Sequence, residues 1–335
     1  MATPPRKSAA RCFAKPQADF DTEASGNYQE LSFTGESISR SKSGQQPDPE
    51  MGGDRHNDRD PGDPTPGLIS VSGGINWNLD FNQALWWLYF TLGAPQTTDE
   101  GGGNFTHVFE SGADALSFFS WDQMIRSDKY KFGLSMAVNE LVFGTEKSDG
   151  YRGMSVNVIG RNRLYRGASS SGAAIALPPR AKCPASIGVA KINDVIAGEH
   201  VGGQHTFSNG LASRMNSDDS DTIGRLDPGD VGFRGNPKFR LQKGVGADAV
   251  FDLLQDDEST FKYEVEYRKS ATQLLTLTLP RAYGSEPNIT ADTGGDNGVY
   301  EFDTNITGAR TDGGTPEPML TVTLKNQLDI TAVTG

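Results

Sequence analysis

Cysteine is nearly absent: Cys12 and Cys183 are the only two in 335 residues. That count excludes a disulfide framework and points to a reducing compartment. Histidine is almost as scarce. His56, His107, His200 and His205 form no HExxH pattern and no Cys/His ligand spacing, so no zinc motif is present. Long apolar runs are missing too. The longest, residues 84–92, is far too short to span a bilayer. Residues 1–16 carry basic residues without an apolar stretch, so no secretory signal is expected. Positive charge is outnumbered, 31 Lys and Arg against 43 Asp and Glu, a net charge of −12. Tight binding to nucleic acid needs clustered cations and is disfavoured, although nucleic acid passing without sticking is not. The expectation is a soluble, intracellularly made protein.

What the chain does have is glycine (40) and proline (18), with 35% hydrophobic residues, a composition of loop-rich β proteins. It also repeats itself roughly 170 positions on. Phe33-Thr34-Gly35-Glu36-Ser37-Ile38-Ser39-Arg40 lines up with Phe207-Ser208-Asn209-Gly210-Leu211-Ala212-Ser213-Arg214, and Asp60-Pro61-Gly62-Asp63 with Asp227-Pro228-Gly229-Asp230. Each copy is followed by an extended stretch, a short helical pattern and several alternating runs, which suggests internal pseudo-symmetry of the kind found in rings.

Composition divides the chain into an N-terminal arm (1–30), a first β unit (31–162), a connector (163–202) and a second β unit (203–335). The arm is polar and reads as disordered on its own. The first unit contains a long Pro/Gly/Asp-rich insertion, residues 41–66, of the sort that works at an interface or stays mobile. Alternation predicts strands around 67–78, 107–110, 116–123, 130–143 and 154–161. In the second unit it predicts them around 204–216, 231–242, 261–268, 275–279, 300–306 and 320–324. One apolar and one polar face per run indicates antiparallel sheets. The fold class expected is mainly β: two tandem sandwich or barrel units, each with one flanking α-helix.

The first helix is predicted after Asp80, an N-cap residue, with Phe81, Ala84, Leu85, Leu88, Tyr89 and Leu92 at helical spacing and Gly93 and Pro95 ending it. Trp86, Trp87 and Phe90 make its opposite side apolar as well. Such a helix needs partners on both sides, either a large core or a core plus a neighbouring subunit. The second helix is predicted over 247–255.

Chemical motifs are tested and fail. Gly244-Val245-Gly246-Ala247-Asp248-Ala249 matches a dinucleotide-binding fingerprint, but its flanking strands alternate, whereas that fingerprint needs continuous apolar parallel strands. Asp219, Asp221 and Gly224 make a poor calcium loop, with Ile223 and Asp230 at liganding positions. Residues 167–172 lack the spacing of a nucleophile elbow. No catalytic, cofactor-binding or metal-binding residue is assigned, no cofactor is expected, and the reading is of a structural protein, not an enzyme.

Phe261-Lys262-Tyr263-Glu264-Val265, Leu275-Thr276-Leu277-Thr278-Leu279-Pro280 and the closing Leu320-Thr321-Val322-Thr323-Leu324-Lys325-Asn326 resemble bacteriophage tail tube proteins. Glu36-Ser37-Ile38, residues 67–74 and Thr91-Leu92-Gly93 resemble the same family from the first unit. The resemblance covers roughly residues 31–330. It implies a β-sandwich with its helix on the flank, whose sheets join side by side into a ring. Stacked rings then form a hollow tube that conducts DNA at genome ejection. Rings of six units are usual in the family, so two units per chain imply a trimer with pseudo-sixfold symmetry, and six chains if the duplication is spurious. Residues 41–66, and the shorter 215–230, match the loop that reaches toward the adjacent ring. Other partners implied are further tail proteins at the tube ends and viral DNA passing without specific binding, with no membrane. The location implied is the virion tail, assembled in the bacterial host cytoplasm. An acidic lumen would repel phosphate, and Glu264 and Glu266 qualify as lining if their sheet faces inward. Another virion or secretion-tube component of the same fold, or an intracellular β-sandwich enzyme or binding protein, are the alternatives.

Overall fold

Alternating burial organises the chain into antiparallel sheet. Along Ile69–Asn78, Ile69, Val71, Ile75 and Trp77 are buried, whereas Ser70, Ser72 and Asn76 are exposed; Gly153–Gly160 buries Met154, Val156 and Val158 in the same way. The computed structural model describes residues 10–42, 67–145, 149–186, 188–197, 199–216, 220–240, 251–255, 259–290, 301–311 and 316–334.

One continuous run of strands passes through both halves of the chain. It starts at Gly35–Glu36 and Ser39–Lys42, which pair with Ile69–Asn78. Next come Gly153–Gly160 and the second half of Lys129–Gly144. Gln204–Ser208 then adds to Lys129–Gly144, followed by Gly232–Gly235, Ile306–Ala309 and the end of Gln273–Gly284.

The two long strands turn corners. The first half of Lys129–Gly144 leaves the run and pairs instead with Phe119–Arg126 and Asn162–Arg166. Along Gln273–Gly284 one neighbour changes, from Thr321–Asn326 beside the first half to Ile306–Ala309 beside the end, while Thr260–Ser270 pairs along the other edge as far as Tyr283. Both corners carry irregular register, between Phe119 and Trp121 in one and between Phe261 and Tyr263 in the other. Bulges bend a strand and raise its twist, which is how one strand serves two sheets. Ser135, at φ 52, and Pro280 sit at these corners.

Strand order is therefore the same in the two halves. Phe119–Arg126, Lys129–Gly144, Gly153–Gly160, Ile69–Asn78 and Gly35–Glu36 neighbour one another in that order. Thr260–Ser270, Gln273–Gly284, Ile306–Ala309, Gly232–Gly235 and Gln204–Ser208 do the same. The repeated octapeptides both enter hairpins: Arg40 lies opposite Val71, and Arg214 opposite Arg225. Residues 60–63 lie outside the described residues.

Three sequence expectations need correction. Part of the arm is sheet, because Arg11–Pro16 pairs with both Phe119–Arg126 and Gln29–Leu31, burying Cys12, Phe13 and Ala14. The Ala84–Leu92 helix is enclosed, not flanking: every residue but Tyr89 is buried, and Gly93 (φ 88) ends it as expected. It starts later than Asp80, whose Oδ1 instead accepts from the Asn82 and Gln83 amides in the turn before the helix. Of the second helix, Phe251–Leu254 is described and Leu254 is buried; residues 247–250 lie outside the described residues.

Candidate assembly and channel surfaces

Within the continuous run, register puts Ser39, Ser72 and Ile159 on one face with Asn76, Ser155 and Val142. The same face continues through Thr206, Arg234, Thr307 and Tyr283. The opposite face is core: Val71, Ile75, Val156, Leu141, Phe207 and Phe233 are all buried. The open face is thus built mostly of hydroxyl and amide side chains, except at Ala137 and Ile159, where Ile223 and Leu226 pack onto it. Its acid at Glu140 is tied to Asn157, whose Nδ2 donates to Oε2 at 2.6 Å.

Glu264 and Glu266 sit on Thr260–Ser270, on the same side of that strand as Thr260, which faces Tyr283, and Val189–Ile192 pairs along its other edge. Lys191 Nζ pairs with Glu264 at 2.7 Å and Arg268 with the buried Glu266 at 2.6 Å.

The aromatic helix also has its answer. Trp87 stacks on Trp77 (centroids 4.7 Å apart), and Phe90 stacks on Phe119 at 4.3 Å. Trp86, Trp87 and Phe90 are at most 2% exposed. Strands of the same chain cover both sides, so no neighbouring subunit is needed there.

The joint between the halves is reinforced by Asn209. Its Nδ2 donates to the carbonyls of Thr91 and Val138, each at 2.9 Å, tying the end of the helix to the long strand. The Leu211 amide donates to Asn139 Oδ1. Sequence reasoning passed over Asn209, although its place in the repeated octapeptide, where the first copy has Gly35, was the available signal.

The remaining sequence candidates are structural. Asp221, within the 215–230 loop, pairs with Lys42 at the start of the 41–66 loop at 2.6 Å, while Asp219 and residues 43–66 lie outside the described residues. Residues 244–249 lie outside them as well. Ser169 Oγ and the Ser170 amide both donate to Asp122 Oδ2, so the serine-rich stretch anchors the connector. His205 is fully buried with Nε2 against Tyr263 Oη at 2.8 Å; burial lowers its pKa to about 3, and that of His200 to about 4. His107 is buried between Thr97 and Asn326. Among the described residues, no group of three or more His, Cys, Asp or Glu is placed to hold a metal ion, and no helix is long and apolar enough to cross a membrane.

The described residues form a bent sheet with one hydroxyl-rich face and two ends. No curated relative matches the chain. Residues 8–236, well over half of it, match the phage tail tube protein family, which is structural and belongs to the virion tail. The chain belongs to the phage tail tube protein family.

Proposed function

We propose that this protein is the repeating subunit of a tail tube, with three chains closing into a ring, rings stacking into a tube, and the genome passing through the channel during ejection. One observation carries this reading. Two sets of strands with the same neighbour order are already joined edge to edge within the chain, through Gln204–Ser208 and Lys129–Gly144. Each set is one wall segment, residues 31–162 and 203–335, linked by 163–202. Three chains then supply six segments with pseudo-sixfold symmetry.

The open face of the run suits a channel. Hydroxyls and amides form replaceable hydrogen bonds with water, and a face on which they outnumber cations such as Arg234 gives phosphates few fixed partners. DNA slides past such a wall instead of binding to it. Loops 41–66 and 215–230 reach from each ring to the next, and other tail proteins cap the ends. Assembly takes place in the bacterial host cytoplasm. The test is negative-stain microscopy of the purified chain: rings or tubes with a central hole and threefold mass per ring are expected, and a dispersed monomer would overturn the reading.

A further inference from the structure

Thr145 Oγ1, Tyr267 Oη and His200 Nε2 are shut away from water and have no hydrogen-bond partner among the described residues. Thr145 and Tyr267 are at most 2% exposed. All three residues border one polar cavity of about 20 Å³, which Arg152, Gly188 and Glu266 also line. They come from distant parts of the chain. Thr145 follows the long strand Lys129–Gly144, Tyr267 belongs to Thr260–Ser270, and His200 lies in Glu199–Gly202. Buried polar atoms are nearly always partnered, so three orphans meeting in one cavity mark a place for a ligand.

Size and charge narrow the ligand. A single water needs roughly 10–15 Å³ of such space, so the cavity takes one small particle and excludes organic molecules. Its field is positive. Arg152, 5% exposed, sets its guanidinium against the Tyr267 ring, with Cζ 5.6 Å from the centroid, and its Nη2 donates to the Ala185 carbonyl at 2.8 Å. Glu266 has its carboxylate paired with Arg268 at 2.6 Å. Burial, and after it the Arg152 charge, hold the His200 imidazole at a pKa of about 4, so the ring is neutral. Burial raises the Tyr267 phenol, and Arg152 is the first charge to oppose that rise. Both hydroxyls can donate, and a neutral imidazole can carry its proton on Nε2 and donate as well.

We propose that this cavity is a halide site, holding one chloride ion between the Thr145 and Tyr267 hydroxyls, beside Arg152 and His200. Donors facing a small space in a positive field suit a monatomic anion and repel a cation. The ion ties together three stretches of chain: the end of the long strand, the segment at Gly188 and the strand Thr260–Ser270. At Gly188 that segment runs close against the others, since a Cβ there would stand 3.3 Å from Arg152 Nη2 and 3.2 Å from the Glu266 carbonyl oxygen. The site lies within one chain and is independent of how chains assemble.

Thermal unfolding of the full chain at constant ionic strength tests the site, with chloride exchanged stepwise for gluconate, an anion too large for the cavity. Chloride should raise the unfolding midpoint by about 1–3 °C and saturate, with bromide acting in the same way. Equal midpoints in chloride and gluconate would overturn the proposal and leave a water as the occupant. Tyr267→Phe and Thr145→Val each remove one donor and should move the chloride titration to concentrations higher by about tenfold or more. An unshifted titration in either variant would place the ion elsewhere and overturn this site. Should neither variant fold, amide exchange on the unaltered chain decides. Residues 188–190 and 265–267 should slow by about threefold or more in chloride relative to gluconate, beyond any uniform change across the chain. Exchange there that is unchanged, or that changes only with the whole chain, would overturn the proposal.

Discussion

Trp87 lies stacked on Trp77, their ring centroids 4.7 Å apart and their planes 21° from parallel. Trp77 belongs to the continuous sheet and Trp87 to the enclosed helix, so this contact locks the helix onto the back of the candidate channel wall. Trp87 also meets Trp121 and Phe119 from beyond the corner.

Removing that ring should act on the chain before it acts on any assembly. Trp87→Ala leaves a cavity among buried aromatics and should cost about 3–5 kcal/mol. Urea unfolding of dissociated chains is the measurement. An unchanged midpoint combined with lost rings would mean that a neighbour, not the chain's own core, depends on this side chain.

Asn209→Ala should loosen the joint inside the chain. The substitution strips the Thr91 and Val138 carbonyls of their donor, at about 1–3 kcal/mol for each buried acceptor left unsatisfied. Amide exchange should accelerate in residues 204–208 and 140–144 while the Asn162–Arg166 strand is unaffected. Uniform acceleration across the chain would show that Asn209 supports global stability instead of this junction.

Deleting residues 44–65 should leave rings that no longer stack. Lys42, at the start of the 41–66 loop, pairs with Asp221 within the 215–230 loop at 2.6 Å, so on the proposed reading the two loops act together. Microscopy reads the outcome directly. Long tubes from the deletion would contradict the assignment of this loop.

Acidification should weaken the fold through its buried histidines. His205 and His200 hold folded pKa values of about 3 and about 4, below the ordinary 6.5, because burial penalises the cation. A depressed folded value means that the neutral ring's contribution is complete above pH 6.5 and is lost as pH falls toward 4, because the unfolded chain takes up the protons. At pH 5 the loss is about 2 kcal/mol for each ring. His205→Gln should flatten the slope of unfolding free energy against pH between 6.5 and 5 by about one proton. A parallel curve would place the acid sensitivity elsewhere.

Periodicity made most of the strands legible before any coordinates. Phe261, Tyr263, Val265 and Tyr267 turn to the core as their alternation required. The extended stretch at 69–78 and the helix stop at Gly93 were equally readable. The strand Gln96–Gly101 was not, because its polar, exposed residues carry no apolar signal and, among the described residues, its strand partner is Asn104–Glu110. Arg11–Pro16 was hidden for a similar reason: its register comes from Phe119–Arg126, more than a hundred residues away.

By itself the sequence determined the class of molecule, since alternation, turn residues and the near-absence of cysteine act locally and need no knowledge of partners. Its repeated octapeptide also suggested an internal repeat, and each copy enters a hairpin. Only the tertiary structure decided which edge meets which, that both sides of the aromatic helix are satisfied inside the chain, and that Glu264 and Glu266 are held by Lys191 and Arg268. Those outcomes depend on pairing between distant segments, and two strands with the same alternation can sit in either sheet until a bulge sends one of them around the bend.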